Sequence, residues 1–283
     1  AISCASVEAQ AAMLDNDARH DRDVRLEAFK WLTELVDRHG LVVPRVELAT
    51  GFDFRGRRTP LVGPQGIFKP AVMDLPLSIT TAPSGPYDDG FGPDGLLRYR
   101  YRGTDPRHRD NVGLRTCMRH QLPLIYCHGI APGAYAVTWP VFVVGDDLSA
   151  LAFKVAVDDA KGVDDAERGL PTEAQGIEAR RRYVTAVVRR RLHQEAFRSR
   201  VLRAYQQRCA LCNLRHAELL DAAHIVGDAE EGGEPVVPNG IALCKIHHAA
   251  FDRFFIGIDP DLRVAVREDL LREVDGPMLR HGL

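Results

Sequence analysis

Two short motifs constrain this chain more than any other feature of it. Cys209-Ala-Leu-Cys212 and Cys244-Lys-Ile-His247 each set two soft ligands three positions apart, with 31 residues between the pairs. Each pair makes a knuckle able to supply one side of a tetrahedral site, and together they predict a loop closed by a structural Zn2+ ion. Disulfide pairing is the alternative. The other cysteines, Cys4, Cys117 and Cys127, are scattered and odd in number, and nothing suggests a secreted protein, so these three are expected as buried or incidental thiols. The knuckles lie farther apart than in a simple zinc ribbon, so something is built inside the closed loop.

What lies there has chemical potential. Residues 219–226 (LLDAAHIV) read as a short strand ending near His224. A polar, Gly-rich loop follows and delivers Asn239-Gly240; Ile241-Ala242-Leu243 then leads into a helix beginning about Cys244 and carrying His248 and Asp252. Each residue has a plainer reading. Asn-Gly is the commonest tight-turn dipeptide, and a lone histidine is usually a satisfied core or surface side chain. His247 and His248 point about 100° apart on a helix, so they should not bind the same ion.

The order strand, loop, strand, helix, with AHI, NGIALC and HHAAFD at these places, resembles the HNH (ββα-metal) nuclease family over residues 196–262. The resemblance implies His224 as general base toward the water attacking phosphorus, Asn239 as the residue that holds the catalytic loop, and His248 as a ligand to one catalytic divalent ion, Mg2+ or Mn2+. An imidazole titrating near pH ~6.5 suits that proton transfer. Many relatives carry an acid directly before the base, where this chain has Ala223. Asp252, four residues after His248 on the same helical face, is the preferred second ligand. Asp221 ranks below it, because three residues back along a regular strand faces away from His224.

Charge is segregated along the chain. The formal net charge is only −2, yet residues 180–208 hold ten arginines against a single acid, Glu195. Apolar residues recur there at roughly helical spacing, predicting one or two helices with a basic face. Arg180, Arg181, Arg189, Arg190 and Arg200 are the candidate contacts to a DNA backbone, against the plainer reading of a solvated linker helix. A composition of 45% hydrophobic and 27% charged residues is that of an ordinary globular protein. No apolar run approaches the ~18 residues of a membrane span, and the first residues lack the basic and apolar segments of a signal peptide.

Upstream, residues 22–39 show apolar positions at helical spacing before Gly40, predicting a small helical head. Residues 51–76 are rich in Gly and Pro and read as loops and short strands. Strands are expected at 96–101, 122–127, 134–144 and 152–157, with a short helix at 111–120 after a loop (residues 105–111) suited to a groove-inserting finger. The stretch SGPYDDGFGPDGLLRYRYRG, with LPLIYCHG and YAVTWPVFVV after it, is similar to the SRA domain of the PUA-like superfamily over about residues 60–158. That likeness implies a reader that flips a modified cytosine into an aromatic pocket, with Tyr87 and Tyr99 as the stacking rings. The family's pocket aspartate falls by strict spacing on Gly90, so Asp89 would fill the role; Tyr101 reads as an ordinary sheet aromatic.

The expectation is an α+β chain with a helical head (1–58), an SRA-like curved β-barrel reader (59–160), a basic linker helix (161–195) and a zinc-stabilised HNH nuclease domain (196–283). Its activity would be that of a modification-dependent, McrA-type restriction endonuclease acting on double-stranded DNA in a bacterial cytoplasm. The modified base would be 5-methylcytosine or 5-hydroxymethylcytosine, and homodimerisation would serve double-strand cleavage. A non-specific or toxin-type HNH DNase, and a non-cleaving zinc-stabilised DNA-binding protein, are the other readings.

Overall fold

The computed structural model describes residues 4–82, 90–92, 94–158, 174–227, 230–259 and 261–272, with side chains from residue 19 in the first helix and from residue 181 in the basic helix. It divides into two compact units, Ala1–Leu192 and His193–Leu283.

The first unit opens with α1 (Cys4–His39), β1 (Val42–Pro44), α2 (Arg45–Thr50), β2 (Phe52–Phe54), β3 (Arg57–Thr59), β4 (Ile67–Phe68) and β5 (Ser78–Thr81). It continues with β6 (Leu97–Arg100), α3 (Arg109–Arg119), β7 (Leu124–Ala131), β8 (Ala134–Asp147), β9 (Ala152–Val157) and the start of α4 (Ala174–Ala204). Seven strands form one mixed sheet, ordered β4-β5-β7-β8-β9-β6, with β1 also paired to β8. Only β5 and β7 run parallel. The near-continuous apolar run of β7 reflects burial on both faces, as a central strand requires.

The helix expected at 22–39 is the second half of a 36-residue helix. Val24, Ala28, Leu32 and Leu35 lie on one face, and they share a single hydrophobic core with Phe52, Ile125, Cys127 and Val137. The helical head is therefore packed into the same core as the sheet. Buried polar groups pin it there: Asp21 accepts from the backbone N–H of Asp74 and Leu75, both at 3.0 Å. Arg25 donates to the carbonyls of Pro76 (2.7 Å) and Pro123 (2.8 Å).

The second unit carries the end of α4, then β10 (Leu220–His224), β11 (Gly240–Cys244), α5 (Lys245–Asp252), β12 (Ile256–Ile258), β13 (Val264–Val266) and α6 (Glu268–Arg272). The arginine-rich stretch is one helix, and it continues without interruption past the boundary between the units. Phe197, Val201 and Leu202 of α4 pack on Leu220, Ala222, Ile241 and Leu243 of the antiparallel β10–β11 pair. The hairpin β12–β13 was not anticipated, its strands being too short to show a pattern. The described residues end with α6, and 273–283 lie outside them.

Candidate metal centre and hydrolytic site

The two knuckles meet. Cys209, Cys212, Cys244 and His247 bring one ligand atom each within 4.8 Å of one another, and among the described residues they are the only such group. His247 Nδ1 lies 3.5 Å from Cys209 Sγ and 3.2 Å from Cys244 Sγ. Ligands of one tetrahedral zinc, with bonds near 2.3 and 2.0 Å, would stand about 3.5 Å apart. The spacing therefore fits an ion of that size, and three sulfurs with one imidazole are a donor set suited to Zn2+. Thiol ionisation agrees. Burial opposes the thiolate at Cys209, but backbone N–H groups of Cys212, Cys244 and Leu211 outweigh it and hold its pKa below the ordinary value. Cys212 is pushed up to about 11 by desolvation and by the neighbouring sulfurs. Crowded thiols that cannot all ionise alone can do so around a divalent cation.

On the other side of α5, His248 stands between two carboxylates. Its Nδ1 is 3.5 Å from Asp221 Oδ2, and its Nε2 is 3.3 Å from Asp252 Oδ2. Asp221 thus reaches His248 from β10 and Asp252 reaches it from within the helix. The alternation of the strand explains it: Asp221 faces away from His224, and that is the face α5 covers. The contact with Asp221 raises the His248 pKa, with burial opposing and the charges of Asp252 and Asp221 adding to the rise. The same contact lowers that of Asp221.

His224 ends β10 with its ring stacked on Phe197, centroids 4.0 Å apart at 18°. Its Nε2 is buried with no hydrogen-bond partner. Asn239 is not in a tight turn: it closes a 3-10 turn, and Gly240 is extended at φ −127°, opening β11 opposite His224. Glycine is needed there for space, since a Cβ would sit 2.3 Å from Val201 Cγ2. The Asn239 side chain is buried and ties the loop ends together. Its Oδ1 accepts from Val226 N at 2.8 Å, and its Nδ2 donates to the carbonyls of Val226 (3.0 Å) and Glu234 (3.1 Å).

The sequence of residues 209–259 matches a family model described as HNH endonuclease. Residues 209–259 form an HNH endonuclease domain. No curated protein matches the chain. Two solved structures are similar at low superposition. One, titled a modification-dependent TagI restriction endonuclease, is 19% identical over 68% of this chain and 71% of that one, with a TM-score of 0.25. The other is the type IV phosphorothioation-dependent restriction endonuclease ScoMcrA, 22% identical over 65% and 54% of the two chains, with a TM-score of 0.24.

Sequence reasoning missed two residues that touch this site. Phe197 looked like one more apolar position on α4, yet it is the ring on which His224 rests. Arg198, omitted from the basic candidates, donates to the carbonyls of Ala217 and Leu220, both at 2.9 Å, and its Nε lies 3.5 Å from Asp221 Oδ1.

The other arginines divide. Arg181 turns inward: its Nε donates to Asp158 at 2.8 Å, with side chains 12% and 0% exposed, and its guanidinium lies 4.3 Å from the Phe142 ring centroid. It is thus a structural cation, not one presented to a polyanion. Arg189 lies 5.8 Å from the Phe91 ring centroid. Arg190 is exposed, Arg200 is exposed and donates to Pro235 O at 3.0 Å, and the Arg180 side chain lies outside the described residues. Of the reader candidates, Tyr87 and Asp89 lie outside the described residues. Tyr99 is 3% exposed on β6 with its hydroxyl donating to Thr80 O at 3.3 Å, so stacking on an extruded base would require its neighbours to part. Tyr101 is interior too, packed on Phe153 and bonded to Asp146 and Arg115. The 105–111 loop is internally tied. Asn111, fully buried, accepts from Arg102 N and donates to the Arg102 and Asp105 carbonyls, and His108 caps α3.

Proposed function

We propose that this chain is a modification-dependent DNA endonuclease. The HNH domain would hydrolyse a phosphodiester, and the first unit would read a modified base, 5-methylcytosine or 5-hydroxymethylcytosine being the candidates. The observation that carries the hydrolytic half is the convergence, around one β10–β11–α5 unit, of the Cys3His cluster, His248 with its two carboxylates, and Asn239 locking the loop behind His224. The reading half rests on the likeness of residues 60–158 to SRA domains.

In this reading His224 takes the proton of the attacking water. With Nε2 buried, Nδ1 is the nitrogen that has to do so, and the Phe197 ring sets the plane in which it acts. His248 and Asp252 hold the divalent cation. Their 3.3 Å separation is close to the ~3.0 Å between adjacent ligands of an octahedral ion with 2.1 Å bonds. When bound, Mg2+ or Mn2+ would stabilise charge on the phosphorane and on the leaving oxygen. Asn239 keeps the base at the end of its strand. Arg190 and Arg200 follow the phosphate backbone of double-stranded DNA, while Zn2+ in the Cys3His set holds the unit together. One such site cuts one strand, so two protomers would make a double-strand break.

The test is cleavage of matched duplexes carrying unmodified cytosine, 5-methylcytosine, 5-hydroxymethylcytosine, N6-methyladenine or a phosphorothioate linkage, with Mg2+ or Mn2+ and a His224→Ala control. Cutting confined to one modified duplex and abolished in the control is the expected result, and it names the mark. Equal cutting of every duplex would leave a general DNase, and binding without cutting would leave a DNA platform.

A further inference from the structure

His248 has two nitrogens and two carboxylates, and a nitrogen that binds a metal cannot also carry a proton. The surroundings of the two carboxylates separate their roles. Asp221 is already occupied: its Oδ1 accepts from the backbone N–H of Ala222 at 2.9 Å and lies 3.5 Å from Arg198 Nε. Arg198 is itself held, through NH2, by the carbonyls of Ala217 and Leu220 at 2.9 Å, so its charge stays beside Asp221. A divalent cation at Asp221 would sit against that guanidinium. Asp252 is different. Among the described residues its one polar partner is His248, and its side chain is 59% exposed. Nor do Asp221, His248 and Asp252 form a mutual cluster of ligand atoms like the Cys3His set, because the carboxylates approach different edges of the ring.

We propose that Asp221, braced by Arg198, is a positioning residue: it accepts the Nδ1–H of His248 and so presents the Nε2 lone pair, with Asp252, to the catalytic divalent ion. The inference rests on the hydrolytic reading of the HNH domain and deepens it. A carboxylate behind a metal-binding imidazole fixes both tautomer and ring orientation, and loss of such a partner typically weakens metal binding about 10–100-fold. It also explains how this chain manages with Ala223 before its base: the acid two positions earlier on the same strand face acts on the histidine, not on the ion.

The experiment uses the zinc-loaded full chain with 15N-labelled histidine, at a pH chosen from the 15N titration of His248, whose pKa is raised, so that its ring is neutral. Long-range 1H–15N spectra read the His248 tautomer, assigned with a His248→Gln variant, and electron paramagnetic resonance follows Mn2+ titration. Wild type should show the Nδ1–H tautomer. Asp221→Ala should mix the tautomers and weaken Mn2+ binding about 10–100-fold. Asp221→Asn, whose carbonyl still accepts from Nδ1–H, should keep the tautomer and stay within about threefold of wild-type affinity, as expected of a residue outside the metal's own ligands. Asp252→Ala should lose Mn2+ with the tautomer intact. The proposal fails if Asp221→Asn loses Mn2+ as severely as Asp252→Ala, which would make Asp221 a ligand. It fails equally if Asp221→Ala changes neither readout. Should the alanine variant not fold, the asparagine arm alone separates ligand from positioner. Neither readout involves DNA, so a protein that behaves as expected here yet cuts no duplex refutes the nuclease reading and leaves this assignment standing.

Discussion

Asn239 offers the sharpest test of the loop behind His224. Replacing it with alanine removes three hydrogen bonds, one accepted from Val226 N and two donated to the carbonyls of Val226 and Glu234. At about 1 kcal/mol each, for a side chain buried to 8% exposure, the loss is about 3 kcal/mol. The isosteric Asn239→Asp is the more telling change. It keeps the acceptor for Val226 N but turns the former amide nitrogen into an oxygen facing two carbonyl oxygens, so it should cost at least as much as alanine. Both tryptophans, Trp31 and Trp139, lie in the first unit, so fluorescence does not report on this loop. Native-state hydrogen exchange of the β10–β11 amides does. A loss of about 3 kcal/mol corresponds to exchange roughly a hundredfold faster, and both variants should also lose cleavage. Wild-type exchange rates in Asn239→Asp would refute the reasoning, because they would mean that the amide does not donate to those carbonyls.

Other outcomes follow from the same geometry. Arg181→Ala removes a buried ion-pair partner of Asp158 and should destabilise the first unit by more than about 1 kcal/mol. The exposed Arg190→Ala should change stability by under about 0.5 kcal/mol while lowering the slope of DNA affinity against salt by about one. Urea unfolding followed by tryptophan fluorescence, and DNA binding at several salt concentrations, check the pair. Cys209→Ser should take the bound zinc, read by elemental analysis, from one per chain to none, with loss of slow-exchanging amides in the HNH domain. Phe197→Ala removes the stacked ring beneath His224. Given the ~0.5–1.5 kcal/mol of an aromatic pair, it should slow cleavage about threefold to tenfold at unchanged Mn2+ affinity; a parallel loss of Mn2+ would place the effect elsewhere.

Much of the HNH domain was legible because its signals are local. The knuckle spacing, the strand before His224 and the helix carrying His247 and His248 each follow from residues within a few positions of one another. The 100° between successive helical side chains foretold that the two histidines would face different neighbours, and they do: His247 lies among the cysteines and His248 between carboxylates. What the sequence did not show depended on contacts between elements. Arg181 and Arg190 look alike in a run of arginines, but only one has a buried aspartate opposite it. Tyr99 follows the strand alternation of β6, yet pairing with β9 and the covering around it leave it interior.

The spacing of the two knuckles already pointed to the cluster of Cys209, Cys212, Cys244 and His247 and to the secondary structure around it, because metal-ligand spacing and helical or strand periodicity act over short separations. Tertiary structure alone decided which carboxylate stands beside which nitrogen of His248, what ring supports His224, and that the N-terminal helix shares the core of the sheet. Those relations join residues as far apart as Arg198 and Asp221, or Val24 and Ile125. No pattern along the chain encodes them, since they arise only when the packing of one face of an element selects what meets the other.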